Sequence, residues 1–141
     1  MWSFEHSIDA AVTPAAVWSR YIDVDTWPAW NAGMEKVQLN GPFHAGGTGE
    51  VTMTGDARAP FTLTEVAVDE GFTIEVRVGP GVVTRSRCRI AALPEHGCRI
   101  THSVELDGPG GDEMGAAAGP ILSGNITRGV DEVAKAAAAA V

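Results

Sequence analysis

The feature that most constrains the fold is a succession of alternating segments between residues 34 and 107. Their period-two alternation predicts six strands, over Lys36–Asn40, Gly49–Thr54, Phe61–Val68, Phe72–Val78, Val82–Ala92 and Cys98–Asp107. Glycine, proline, asparagine and aspartate interrupt the segments, as is typical of turns. Connections of about three to eight residues join antiparallel neighbours, because parallel strands need long crossovers. This part of the chain is therefore predicted to form an antiparallel meander.

A strand and two short helical segments are predicted before the meander. Phe4–Ala10 alternates with period two and reads as a half-buried strand with His6 on its apolar face. Thr13 is suited to cap a helix, because Pro14 then occupies the first helical position, where its missing N–H is harmless. This helix is predicted to run to about Ile22, and residues 25–31 form a second short helix or turn.

One long helix is predicted after the meander, from Asp112 as N-cap to Val141, with Pro120 bending or restarting it. At 100° per residue, one side carries Leu122 together with three glycines, Gly115, Gly119 and Gly129. Glycine inside a helix is less favourable than alanine by roughly 1 kcal/mol, so the presence of glycine at these three positions requires an explanation. Two explanations remain open: close packing over bulky strand residues, or room for a ligand between helix and sheet.

Composition narrows the class of protein. The 141 residues suffice for one domain, predicted to span residues 1–141, and 45% hydrophobic with 20% charged residues is typical of a globular chain. A net charge of −8 argues against nucleic-acid binding, which needs a cationic surface. No apolar run is long enough for an integral membrane segment, and the first residues lack the features of a secretory signal. A cytoplasmic protein is expected, in which the two cysteines are thiols and one disulfide is possible but not implied. The oligomeric state stays open.

Motifs for common cofactors are missing from the sequence. The patterns GxGxxG, GxSxG, HExxH and CxxC do not occur, so no cofactor and no metal site are predicted. The glycine-rich segment 41–49 superficially resembles a phosphate-binding loop, but no lysine precedes Thr48 and a strand follows instead of a helix. It is interpreted as a loop that connects two strands.

The last two predicted strands place polar groups on both faces of the sheet. If the loop 93–97 closes a hairpin, Cys88 lies opposite His102 on the inward, apolar face. The outward face of the same strand carries three arginines, which are predicted to pair with glutamates on neighbouring strands or to form a patch for an anion or a partner. These residues are Arg85, Arg87 and Arg89, with Glu65, Glu75 and Glu105 as partners.

Three segments resemble the START-like (SRPBCC, birch-pollen-allergen-like) superfamily, and within it the polyketide cyclase/dehydrase family. They are Val12–Trp18, similar to the family's first helix although Thr13 replaces the usual alanine, the Trp-Pro-x-Trp segment in 23–30, and the small-residue helix from Gly119 onward. The resemblance implies an α+β helix-grip fold, in which a curved seven-stranded antiparallel sheet wraps around the long C-terminal helix and an apolar cavity.

The resemblance also places the first strand beside the last, which would bring His6 close to Cys88 and His102. Such a cluster is compatible with zinc binding or acid–base work, with a hydrogen-bonded part of the core, or with a pocket histidine that bonds a ligand. His102 and His6 are therefore the catalytic candidates. Trp27 and Trp30 either anchor the short helices to the sheet or flank the cavity entrance.

The predicted ligand is a small hydrophobic molecule such as a lipid, a polyketide or an aromatic metabolite. The alternatives are a polyketide cyclase, aromatase or dehydratase that uses a cavity histidine, and a non-catalytic protein that binds a partner through its outer sheet or loops. The candidate ligand-binding residues lie on the inner sheet face, the terminal helix and the predicted entrance. They are Trp27, Trp30, Val51, Met53, Phe72, Ile74, Val76, Ser86, Cys88, Ile100, His102, Val104, Gly115, Gly119 and Leu122.

Overall fold

Seven strands form one antiparallel sheet in the computed structural model, which describes residues 1–31, 33–77, 81–95 and 97–139. The order across the sheet is β1-β7-β6-β5-β4-β3-β2, so the first strand lies beside the last. The strands are β1 (Trp2–Ala10), β2 (Met34–Leu39), β3 (Thr48–Met53), β4 (Ala57–Ala67), β5 (Gly71–Arg77), β6 (Val83–Ala92) and β7 (Cys98–Asp107). The predicted meander is confirmed. The predicted positions of Val78, the turn at 79–80, His96 and Val141 lie outside the described residues.

Several strands begin earlier than the sequence predicted. β1 includes Trp2, which pairs with Leu106, and β4 starts at Ala57, which pairs with Met53. Val68, predicted as the end of a strand, instead lies in a turn and is 69% exposed. Pairing with a neighbouring strand therefore extends the elements beyond the stretch in which alternation is evident.

Helices lie before and after the meander, as predicted. Helix α1 (Pro14–Ile22) is capped by Thr13, whose hydroxyl accepts a hydrogen bond of 3.2 Å from the backbone N–H of Ala16. A 3₁₀ turn (Val24–Thr26) leads into the short helix α2 (Trp27–Trp30). Among the described residues, no helix is both long and apolar enough to cross a membrane.

The long helix α3 (Gly111–Ala139) differs from the prediction at two points. It begins before Asp112, so this carboxylate lies in the first turn and is not the N-cap; there it still faces the positive end of the helix dipole. The helix also continues without interruption through Pro120. Pro120 has no backbone N–H to donate to the Ala116 carbonyl four residues earlier. Both residues are exposed, so water can form a hydrogen bond with that carbonyl instead.

The alternation correctly predicted that charged residues lie on the outer face of the sheet and apolar residues on the inner face. On the outer face Arg85 contacts both Glu75 and Glu105 at 2.9 Å, and Arg87 also contacts Glu105. The third arginine of β6 lies 3.5 Å from the Glu65 carboxylate. The predicted cross-strand pairing of the three arginines is confirmed. The inner face of the sheet holds the core, on which α3 packs.

Candidate functional site

A cavity of about 330 Å³ lies between the first half of α3 and the inner sheet face. Side chains from β3 to β7 form its floor, and one face of α3 forms its roof. The segment after α2 closes one end. The lining residues are Asn31, Met34, Val51, Met53, Ala59, Ile74, Val76, Thr84, Ser86, Val104, Leu106, Met114, Ala118, Leu122, Asn125 and Ile126. The volume is at the lower end of the range for ligand pockets, roughly 300–1,000 Å³.

The structure brings part of the predicted site together around this cavity. Those residues are Val51, Met53, Ile74, Val76, Ser86, Val104 and Leu122. The prediction omitted Thr84 and Leu106, although alternation puts them on the same face as Ser86 and Val104. It also omitted Met114 and Ala118, which precede Leu122 at intervals of four residues on one helix face. The remaining predicted residues lie outside the cavity wall: Trp27, Trp30, Phe72, Cys88, Ile100, His102, Gly115 and Gly119.

The tryptophans expected at the entrance belong to a packed aromatic cluster. The Trp27 ring stacks on Phe72 with 5.4 Å between ring centroids and an angle of 19° between the ring planes. Its indole N–H donates a 2.8 Å hydrogen bond to the Tyr21 carbonyl. Trp30 packs beside it, with 5.9 Å between the ring centroids, and both tryptophans are buried. Of the two roles predicted for these tryptophans, their burial and ring contacts agree with anchoring α2 to the sheet and not with flanking the entrance.

His102 is part of a buried polar group next to these aromatic rings. Its Nε2 atom lies 2.8 Å from the Tyr21 hydroxyl, and Cys88 is its cross-strand neighbour, as predicted. Burial lowers the pKa of His102 to about 3, and burial also raises the pKa of the Tyr21 and Cys88 side chains. All three groups are thus uncharged near neutral pH, and they lie away from the cavity wall.

His6 is the cross-strand neighbour of His102 in β1, as the resemblance implied. It is half-buried and does not line the cavity. Within the described ranges, no group of three or more histidine, cysteine or acidic residues is arranged to hold a metal ion.

Close packing explains the three glycines of α3 that the sequence placed on one side of the helix. A Cβ atom at Gly115 would collide with the Trp2 ring, and one at Gly119 would lie 3.1 Å from the same ring. A Cβ at Gly129 would approach the Trp30 carbonyl oxygen to 2.6 Å. These positions therefore admit a ring and a carbonyl from neighbouring elements and do not enlarge the cavity. Trp2, which the sequence analysis left unassigned, shares the inner face of β1 with His6, so extending the alternation would have found it.

The polar groups of the cavity are neutral. Thr84 and Ser86 contribute hydroxyls from β6, and Asn31 and Asn125 contribute amides. The Asn31 side chain donates to the Trp27 carbonyl at 3.2 Å. None of the described lining residues carries an ionisable side chain. The arrangement can hold an apolar molecule and satisfy a few of its hydrogen bonds.

Residues 1–138 match the family model described as polyketide cyclase / dehydrase and lipid transport. The chain belongs to this family. Comparison with curated protein sequences gave no match.

Two solved structures illustrate the fold that this polyketide cyclase/dehydrase family protein shares. Norcoclaurine synthase from Thalictrum flavum aligns with a TM-score of 0.71 at 16% identity, over 95% of this chain and 91% of the other. Ara h 8.0201 aligns with a TM-score of 0.68 at 16% identity, over 94% of this chain and 97% of the other. The fold is therefore the START-like, birch-pollen-allergen-like one that the sequence motifs predicted.

Proposed function

We propose that this protein, as one ligand-binding domain, binds a small hydrophobic molecule in the cavity between α3 and the sheet. The observation that carries the proposal is the cavity wall itself. Most of its side chains are aliphatic or belong to Met34, Met53 and Met114, and methionine adapts readily to ligands of different shape. A volume of about 330 Å³ suits a molecule of about one to three rings or a short acyl chain.

The membership of a family described by polyketide chemistry and lipid transport supports a hydrophobic ligand. A solved structure of norcoclaurine synthase, which has the same fold, contains dopamine and hydroxybenzaldehyde. Both are small aromatic molecules, a size that the cavity of this chain also suits.

Binding is favoured over catalysis by the groups that face the cavity. General acid–base catalysis needs an ionisable side chain within hydrogen-bond reach of the substrate. The described lining residues contain none, and His102 lies in the packed aromatic cluster. The cyclase or dehydratase alternative would require an acid or base from elsewhere in the chain.

The test compares two leucine substitutions on neighbouring positions of α3. Ala118 lines the cavity and Ala117 is exposed, and leucine and alanine both favour helix, so the pair differs mainly in where the added atoms go. The neutral fluorescent probe N-phenyl-1-naphthylamine should bind the wild-type protein and Ala117→Leu equally. Ala118→Leu should weaken binding by about tenfold or more, because three carbon atoms enter the cavity. Equal binding by all three proteins, or no binding by the wild type, would contradict the proposal.

A further inference from the structure

The cavity has one polar spot on an otherwise apolar floor. Thr84 and Ser86 lie two residues apart on β6, so both side chains point inward, about 7 Å apart along the strand. Their cross-strand neighbours on both sides are aliphatic and also line the cavity. These neighbours are Val76 and Leu106 for Thr84, and Ile74 and Val104 for Ser86.

Neither hydroxyl forms a hydrogen bond with a side chain or backbone group in the described part of the chain. Several other hydroxyls do have such partners: Ser7 bonds Thr101 at 2.7 Å, and Thr127 bonds the Ser123 carbonyl at 2.9 Å. Thr84 and Ser86 are half-buried, so their hydroxyls are directed into the cavity with their bonding capacity unused by the protein. Polar groups in such a position are normally satisfied by a ligand or by water.

Among the described residues, no charged side chain lines this region. The residues that alternate with Thr84 and Ser86 on β6 are arginines, which point to the outer face and are bound by carboxylates there. On α3, Arg128 is exposed and donates to Asn125 Oδ1 at 2.7 Å. A ligand carboxylate near the two hydroxyls would therefore lack a cationic partner. Burying an unpaired charge is far less favourable than burying a hydroxyl or carbonyl that is hydrogen-bonded.

We infer that the cavity selects uncharged ligands, each with an apolar body and one hydroxyl or carbonyl group that forms a hydrogen bond with Thr84 or with Ser86. This selectivity rests on the proposed function and adds the ligand's chemical class to it. The ligand class is a neutral alcohol, phenol, ketone or aldehyde, and the corresponding carboxylic acids are excluded in their ionised form.

Three naphthalene derivatives of similar shape test the inference by competition with N-phenyl-1-naphthylamine. At about pH 7.5, 2-naphthol is neutral, 2-naphthoate is ionised, and naphthalene has no polar group. The wild-type protein should bind 2-naphthol up to about tenfold more tightly than naphthalene, and at least about a hundredfold more tightly than 2-naphthoate.

The substitutions Thr84→Val and Ser86→Ala remove the hydroxyls and keep the cavity apolar. In the double variant the preference for 2-naphthol over naphthalene should disappear while naphthalene itself still binds. Thr62→Val is the matched control, because Thr62 is exposed on the outer face of β4 and should leave the preference unchanged. Melting temperatures of all variants verify that the fold is intact.

The outcomes separate this inference from the proposed function. If the wild-type protein binds none of the three compounds and no probe, the proposed function fails. If it binds naphthalene and 2-naphthoate as well as it binds 2-naphthol, or if the double variant keeps the preference for 2-naphthol, only the selectivity is overturned.

Discussion

At the scale of single residues, His102 illustrates how burial decides chemistry. The imidazole is 3% exposed, its Nε2 atom bonds the Tyr21 hydroxyl, and the rings of Tyr21 and Trp30 surround it. Because no carboxylate in the described part of the chain compensates the loss of hydration, the neutral form is favoured. His102 thus contributes to the core as a hydrogen-bonded neutral group and stays uncharged over the whole physiological pH range.

This burial predicts a pH dependence of stability. The pKa of His102 is about 3 in the folded chain and about 6.5 in the unfolded chain. Between these values the unfolded chain binds a proton that the folded chain does not, so the free energy of unfolding falls as the pH falls. The slope contributed by His102 is at most about 1.4 kcal/mol per pH unit. Urea denaturation from pH 7 to 4 should therefore show a flatter profile for His102→Gln than for the wild type.

His44→Gln is the control for that experiment, because the His44 side chain is exposed. Its profile should follow the wild type. Parallel profiles for the wild type and His102→Gln would mean that His102 is protonated in the folded state as readily as in the unfolded state.

At the scale of elements, α3 contains several glycines, which are weak helix formers, and close packing against neighbouring elements requires some of them. Three of its glycines face bulky groups of β1 and α2, whereas Gly124 has only the Arg128 guanidinium nearby, at 3.9 Å from a would-be Cβ atom. The same glycine-to-alanine change should therefore have opposite effects at different positions. Helix propensity favours alanine everywhere, and steric overlap opposes it only where a neighbour is in contact.

Gly124→Ala should raise the free energy of unfolding by about 0.5–1 kcal/mol, because it reduces the entropy that the helix loses on folding. Gly115→Ala should lower it by about 1–3 kcal/mol, because the new methyl group overlaps the Trp2 ring. Chemical denaturation measures both. In a Trp2→Leu background the loss from Gly115→Ala should shrink, and an unchanged loss there would refute the contact with Trp2 as its cause.

At the scale of the whole molecule, the space between sheet and helices is divided into two parts. Around α1 and α2 it is filled by aromatic rings, including Tyr21, Trp27 and Phe72. Beneath the first half of α3 it remains open as the cavity. The packed part provides stability that does not depend on a ligand, so the open part is available for binding.

A ligand in the open part should stabilise the entire fold by mass action. At a concentration of about 100 times its dissociation constant, a compound that binds only the folded state adds about 2.7 kcal/mol to the free energy of unfolding. For a chain of this size we expect N-phenyl-1-naphthylamine to raise the melting temperature by several degrees. Calorimetry should detect the shift in the wild type and in Ala117→Leu, but a much smaller one in Ala118→Leu. An equal shift in all three would indicate binding outside the cavity.

The sequence by itself determined the strands, the helices and the direction in which most side chains point. These features depend on local periods of 2 and 3.6 residues, which a single segment displays without reference to the rest of the chain. Alternation along β6 thus sufficed to put Ser86 inside and Arg85 outside. The assumption that β6 and β7 form a hairpin predicted the pairing of Cys88 with His102. The same reasoning assigned Val51, Ile74 and Val104 to the inner face, where they meet around the cavity.

Only the tertiary structure decided which inward-facing residues meet open space. Trp2 fills the groove above Gly115 and Gly119, and Trp27 packs on Phe72, so neither the glycines nor the tryptophan lines the cavity. Alternation indicates which face of the sheet a side chain occupies. Whether the space next to that side chain is filled depends on residues far away in the chain. That volume is set by the packing of complete elements against one another, which no local pattern records.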